Sequence, residues 1–298
     1  MPSLPDHPTV HQALRWAKQI LSEANVPSSA TDAEWLLAHL MGYTRSELHL
    51  QVHQSLTRAQ YQALMDTVGE RQQRRPLQQI LGETEFFSLP FKITPDVLIP
   101  RPETEVLVGA VIDRLKDHSA PHILDLCTGS GAIAVALAHN LPKSRLTASD
   151  VSEKALVLAR QNIHLNGVAD RVRLVRADLF TPFVARPHFH AIVSNPPYIP
   201  SNNLSSLQPE VRDHEPHLAL DGGPDGLDLY RRIIPQSVSH LHPDGLLALE
   251  IGEASGVQTL LSSTVAFTQF LPLRDLDHKE RVLMAKKYQG SDIDAISC

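Results

Sequence analysis

Two cysteines in 298 residues, Cys127 inside the chain and Cys298 at its last position, cannot staple a fold of this length. A disulfide framework is excluded and a reducing compartment is expected. Basic residues are not in excess. Against 27 Lys and Arg stand 33 Asp and Glu, a formal charge of −6, which argues against tight nonspecific binding to nucleic acid, whose affinity comes largely from cations on phosphates. No apolar run approaches the roughly 18 residues that a membrane-crossing helix needs. The opening run from Met1 to Pro8 has neither the basic nor the apolar stretch of a secretory signal. A cytoplasmic protein without membrane contact is therefore expected. Repeats, low-complexity tracts and heptads are also lacking. An ordinary apolar share of 42% excludes a disordered chain. The length exceeds what one core usually fills, so two domains, or one large domain with an extension, are expected.

The two halves are written differently. From Thr9 to about Gln79, capping-box patterns recur at Thr9 with Gln12, Thr31 with Glu34, Thr44 with Glu47 and Thr57 with Gln60. In each, the hydroxyl can accept from the backbone N–H three residues on while the Glu or Gln reaches back to the cap. Apolar residues follow at helical spacing, as in Leu14, Ala17, Leu21 and Ala24. A helical bundle over residues 1–81 is predicted. Residues 82–100 turn to aromatic and β-branched types punctuated by proline, which reads as a hairpin linker. A helix should start near Glu103, its first-turn acids placed where the helix dipole favours them. From His122 onward, short apolar strands alternate with helices, the pattern of a parallel sheet covered on both faces. The strands read are Ile123–Leu126, Leu146–Ser149, Val172–Arg176, Ala191–Ser194, Leu246–Ile251, Phe267–Leu271 and Val282–Ala285.

Directly after the first of these strands comes the run Asp125 to Gly131, Asp-Leu-Cys-Thr-Gly-Ser-Gly, and then an alanine-rich helix. Glycine at 129 and 131 removes two side chains where a strand turns into a helix, so backbone can touch a ligand. Asp150, at the end of the next strand, can accept both hydroxyls of a ribose. Such spacing indicates a nucleoside cofactor without saying which. The third glycine of a dinucleotide loop is missing, and Cys127 stands where a first one would be. A pyrophosphate needs that open helix terminus; S-adenosylmethionine, which has no phosphate, does not.

At the carboxyl end of the strand Ala191–Ser194 stands Asn195-Pro-Pro-Tyr198, on the sheet edge where ligands of open α/β sheets bind. Two prolines make this loop rigid and rich in acceptors. A planar –NH2 group offers two donors and a flat face. Asn195 can accept one N–H through its side-chain oxygen, the Pro196 carbonyl can accept the other, and Tyr198 can stack on the plane. That would aim the nitrogen lone pair at one point, where a sulfonium methyl would undergo in-line transfer.

These residues identify a family. The chain resembles the release-factor glutamine N5-methyltransferases, which methylate the glutamine of a Gly-Gly-Gln tip in peptide chain release factors. The resemblance runs through Pro76–Gly82, Val97–Glu105 with its Pro-Arg-Pro-Glu-Thr-Glu run from Pro100, Leu124–Gly131, Asn195–Tyr198 and Glu215–Gly226. It implies a Rossmann-like α/β fold over residues 101–298, a seven-stranded methyltransferase sheet whose last strand is antiparallel, and an N-terminal bundle that helps to recognise the substrate protein. It also implies S-adenosylmethionine lined by Cys127, Thr128, Gly129, Ser130 and Gly131, with its ribose on Asp150 and its adenine bordered by Asp178 and Leu179. Asn195 would lie beside the cofactor as well as clasping the substrate glutamine together with Pro196, Pro197 and Tyr198, and Arg101 would help to bind the substrate. Leu179 stands where relatives carry an aromatic, and Cys127 where glycine is commoner. The partner is then a release factor and the chain a monomer. The same loop chemistry would also serve another protein glutamine, such as one in a ribosomal protein, or an adenine amino group in nucleic acid.

The remaining candidates have plainer explanations. His214 and His217 look like metal ligands, but Pro216 spoils a shared helical face, so no metal is expected. Most of the 16 histidines are scattered and read as surface residues. Arg71, Arg74 and Arg75 form a basic run that reads as a solvated helix end or as a docking patch for a release factor or for RNA.

Overall fold

Thr9, Thr44 and Thr57 each accept a hydrogen bond from the backbone N–H three residues on, and Gln12, Glu47 and Gln60 reach back to the cap. These bonds start three of the helices in the computed structural model, which describes residues 7–252 and 254–288; Cys298 lies outside them. The N-terminal unit opens with the helices α1 (Val10–Glu23), α2 (Ser29–Met41), α3 (Arg45–Leu50), α4 (Arg58–Gln72) and α5 (Leu77–Leu81). They bury one contiguous apolar stripe that includes Leu21, Leu36, Leu37, Leu48 and Leu64. The expected box at Thr31 does not form. Ser28 already gives its carbonyl to the Asp32 N–H at 2.8 Å, so α2 begins before Thr31, and Glu34 pairs with Arg45 and His49 instead.

Residues 208–214, far along the chain, cluster with this helical unit and not with the sheet that surrounds them in sequence. Charge explains why. Arg71 donates from Nε to Asp32 at 2.7 Å and from Nη2 to Glu210 at 2.8 Å, while Arg74 grips both Glu210 oxygens at 2.7 and 2.6 Å. Arg75 pairs with Glu70. The basic run is therefore no free patch, because each of its arginines is committed to a carboxylate.

The second unit covers Thr84–Leu207 and the chain from Glu215 on. Strands β1 (Glu83–Phe86) and β2 (Leu89–Lys92) form the hairpin. Phe86 and Phe91 meet edge-on with centroids 6.0 Å apart, and both are buried in one core with α6 (Pro102–Leu115). Then follow β3 (His122–Leu126), α7 (Ala132–Asn140), β4 (Arg145–Asp150), α8 (Glu153–Leu165), β5 (Val172–Arg176) and β6 (Phe189–Ser194). After the turn α9 (Pro209–Arg212) of the first unit come α10 (Asp228–His240), β7 (Leu241–Glu250), α11 (Ala254–Ser263), β8 (Phe267–Arg274) and β9 (Glu280–Lys287).

Seven strands form one sheet in the order β5-β4-β3-β6-β7-β9-β8, with β9 antiparallel to both its neighbours. Each expected strand is present; most are longer than expected at one end or both, while β7 stops at Glu250, one residue short of the expected Ile251. Both faces are covered. Ile123, Val193, Ala248 and Met284 enter one core, while their chain neighbours Leu124, Ile192, Leu249 and Leu283 enter the other, which is why the strands read as continuous apolar runs. The order reverses between β3 and β6, so loops leaving those strands diverge and open a crevice at their carboxyl ends.

At the opposite edge, where β3 and β6 begin, the histidines are not scattered. His190 packs against His118 and His242 with centroids 4.3 and 4.5 Å apart, and His122 against His188 at 5.2 Å. Burial, then the neighbouring imidazoles, pull His190 down to about 4, so its ring packs there uncharged. Among the described residues no helix is long and apolar enough to cross a membrane.

Candidate active site

Leu126 of β3 is in register with Ser149 of β4 and with Ser194 of β6. The loop from Cys127, the carboxylate of Asp150 and the side chain of Asn195 therefore leave three adjacent strands at one level. Between them lies a cavity of about 380 Å³, within the range of small-molecule sites. Its wall contains Cys127, Thr128, Gly129, Ser130, Asp150, Asp178, Leu179, Asn195, Pro197 and Arg101 of the expected residues. Gly131, Pro196 and Tyr198 stand behind it.

The first loop is shaped by its own hydrogen bonds. Asp150 accepts the Gly129 N–H through Oδ2 and the Ser152 N–H through Oδ1, both at 2.9 Å. Burial pushes its carboxyl up, while these bonds hold it down. Asp125, fully buried, accepts the Thr128 hydroxyl at 2.6 Å, and burial raises it to about 7. Gly131 serves packing more than ligand contact. Its φ is +83°, and a Cβ there would stand 3.2 Å from Ala159 Cβ, so the glycine lets α7 settle on α8. Cys127 and Leu179 hold φ of +60° and +51°, left-handed conformations that cost an L-residue about 1 kcal/mol or more and recur at ligand sites. Cysteine thus keeps the turn that glycine would give. Burial, followed by the charge of Asp150, pushes its thiol up to about 12, so it is protonated and no nucleophile.

The wall is acidic. Asp96, Asp150, Asp178 and Asp221 face it, against Arg101 and Arg232, and Arg232 is tied to Asp178 at 2.8 Å. Arg101 is tied to Glu215, whose carboxyl burial raises. Such a donor set suits a nucleoside that carries positive charge and no phosphate.

Asn195 donates from Nδ2 to the Thr104 hydroxyl at 3.3 Å, and Thr104 donates to Glu250 Oε2 at 2.6 Å. Tyr198 is not on the cavity wall. Its hydroxyl points to Glu250 Oε1 at 3.4 Å and its ring packs against the core beside α10 and α11. Burial, then the Glu250 charge, raise the phenol, which stays protonated. The Asp221–Gly226 loop braces this segment: Ile199 donates to the Leu220 carbonyl and Gly222 to the Ile199 carbonyl. A Cβ on Gly226 would fall 2.4 Å from the Tyr198 carbonyl oxygen, so only glycine fits.

Thr104, Glu250 and Gly226 were missed as site residues. A lone acid ending the apolar run Leu246–Leu249 was the available signal for Glu250, since an acid rarely enters a buried strand without a partner. For Thr104 the signal was its place in the Pro-Arg-Pro-Glu-Thr-Glu run, which says nothing of its partner in β7. His214 falls in the helical unit, where its ring lies 3.4 Å from the Gln73 carbonyl oxygen, and His217 falls in the sheet unit. Among the described residues no cluster of three or more His, Cys, Asp or Glu could hold a metal ion.

Comparison with known proteins adds the following. Residues 12–82 match the family model described as PrmC N-terminal domain, and residues 104–211 that described as methyltransferase small domain. A protein of Geobacter sulfurreducens named release factor glutamine methyltransferase is 41% identical over 288 residues, 95% of this chain and 98% of that one. Its namesake from Moorella thermoacetica is 42% identical over 279 residues, 93% of this chain and 98% of that one. Among solved structures, the hMettl16 catalytic domain in complex with an RNA hairpin superposes with a TM-score of 0.56 at 17% identity, covering 76% of this chain and 83% of that one. The Thermus thermophilus 16S rRNA methyltransferase RsmC superposes at 0.52 and 18%, covering 69% and 49%. These two share the fold.

Proposed function

Because the chain belongs to the release factor glutamine methyltransferase family, we propose that it transfers a methyl group from S-adenosylmethionine to the side-chain amide nitrogen of the glutamine in the Gly-Gly-Gln tip of a peptide chain release factor. One observation carries the reading. Asn195 and the Cys127–Gly131 loop leave paired strands at one level and wall the same cavity, so an amide clasped by the first lies beside whatever the second holds.

The donor set fits S-adenosylmethionine. Asp150 would take the ribose, Asp178 and Leu179 the adenine edge, and the backbone of 127–131 the remainder. When bound, that group supplies an electrophilic methyl on a positively charged sulfur. The protein's own residues do the rest. Asn195 Oδ1 accepts one amide hydrogen, and the Pro196 carbonyl, which is not on the cavity wall itself, would have to be reached by the other for the direction of the nitrogen lone pair to be fixed. These acceptors also stabilise positive charge as it grows on nitrogen, in a pocket where burial strengthens the attraction. Tyr198 acts from behind, holding the loop through Glu250 and its own half-buried ring. Arg101, oriented by Glu215, faces the cavity and serves substrate binding.

The relatives match across both units, which supports a release factor over an adenine as target. In this reading the helical unit contributes to recognition of the release factor. The protein acts as a cytoplasmic monomer, and its charge of −6 is consistent with a partner that is not nucleic acid. Incubation with a purified release factor and methyl-labelled S-adenosylmethionine, followed by peptide mass spectrometry, tests it. Label on the Gly-Gly-Gln glutamine is expected; a release factor that stays unlabelled there overturns the proposal.

A further inference from the structure

Glu250 is 1% exposed and ends the apolar run of β7. A carboxylate carries no hydrogen and a hydroxyl carries one. Thr104, itself 4% exposed, has given that hydrogen to Glu250 at 2.6 Å. Toward Asn195 it can therefore only accept, and the Asn195 group 3.3 Å away must be the NH2. The direction of every bond in the row is thus set from its buried end. With Nδ2 turned inward, Oδ1 is the atom left for a ligand.

We propose that Glu250 is a positioning residue which, through Thr104, decides which way round the Asn195 amide stands, so that the site presents an acceptor and selects a substrate that brings N–H donors. Without that anchor the amide has two orientations of similar shape, one of which offers NH2 to an NH2. The inference rests on the reading of this cavity as an amide methyltransferase site.

The charges around Glu250 make the device sensitive to pH. Facing it are Glu103 and Thr104 of α6, Tyr198 after β6 and Arg281 of β9, itself held by Asp275, while Tyr230 of α10 donates to its backbone carbonyl at 2.6 Å. Burial dominates and Glu103 adds to it, against the Thr104 and Tyr198 bonds and Arg281, so the carboxyl is pushed up to about 7. Once protonated, Glu250 gains a hydrogen to donate. Thr104 is then free to donate to Asn195, and the amide can turn over.

The test compares wild type with Thr104→Val, Thr104→Ser and Glu250→Gln. It measures kcat on a release factor from pH 6 to pH 8, and cofactor affinity by calorimetry. Losing the orientation should lower kcat in Thr104→Val on the order of tenfold to a hundredfold, with cofactor Kd within about twofold. Thr104→Ser, which keeps the hydroxyl, should recover to within about threefold of wild type. Wild-type kcat should rise about tenfold from pH 6 to pH 8, as for a group titrating near 7. Glu250→Gln, whose amide oxygen still accepts from Thr104 but never ionises, should lose that rise. Wild-type turnover in Thr104→Val, or an unchanged acid limb in Glu250→Gln, overturns the inference. The Thr104 pair keeps the test available if Glu250→Gln does not fold. A wild-type protein that leaves the release factor unlabelled fails the parent reading instead.

Discussion

Asn195 and Asp150 stand on neighbouring sides of one cavity and should separate cleanly in kinetics. On the proposed clasp Asn195→Ala removes an acceptor that matters as charge develops, so kcat should fall by about 10²–10³-fold with cofactor affinity nearly unchanged. Asp150→Ala removes a carboxylate fixed by two N–H donors. It should raise the cofactor Kd about tenfold to a hundredfold, the range for hydrogen bonds to a charged group, and affect kcat far less at saturating cofactor. Calorimetric titration beside steady-state rates checks both. If the two variants lose the same parameter, the division of labour is wrong. Cys127 makes a subtler point at this scale. Glycine is not needed at its position because the fold holds the left-handed turn for it, and the half-buried thiol then lines the wall without reacting.

Among elements, the decisive contact is between two loops. The Asn195–Tyr198 segment is stiff in itself, but its height above the sheet is set by the Asp221–Gly226 loop pressed against its backbone. Gly226→Ala would force a Cβ to within 2.4 Å of the Tyr198 carbonyl oxygen at a φ of +76°, so one of the two loops must move. A loss of about 1–3 kcal/mol in stability is expected. With it should come a fall in kcat of about tenfold or more from misplaced acceptors, while cofactor affinity is kept. Denaturant unfolding and single-turnover rates at saturating cofactor measure the two effects; a variant with wild-type rates would show that the brace is dispensable. The helices teach a related lesson. Thr9, Thr44 and Thr57 cap helices as their spacing foretells, because a capping box is a contact between residues three apart. Thr31 has the same spacing and fails, because the Ser28 carbonyl begins the helix ahead of it.

For the molecule as a whole, Glu210 links distant parts of the chain within the helical unit. Burial would raise its carboxyl, but the bonds from Arg74 and Arg71 outweigh that and bring it down to about 2. Its stabilising effect is therefore present above its unfolded value near 4.5 and is lost as pH falls from there toward 2. Glu210→Gln should cost about 1–3 kcal/mol at neutral pH and flatten this acid dependence. Unfolding measured at pH 7 and pH 3 decides it: an equal difference between variant and wild type at both values would refute the assignment. Most of the architecture was legible beforehand, for reasons of range. Alternation, capping boxes, the glycine turn after β3 and the Asn-Pro-Pro-Tyr run are written within a few neighbouring residues, so the seven strands, the helical bundle and both loops could be read in order. Thr104 and Glu250 lie 146 residues apart, Arg74 and Glu210 lie 136 apart, and the five clustered histidines come from three separate stretches. No local pattern joins such partners; burial within one packed unit and the crossing order of the strands bring them together, because a carboxylate withdrawn from water must find its donors wherever the folded chain supplies them.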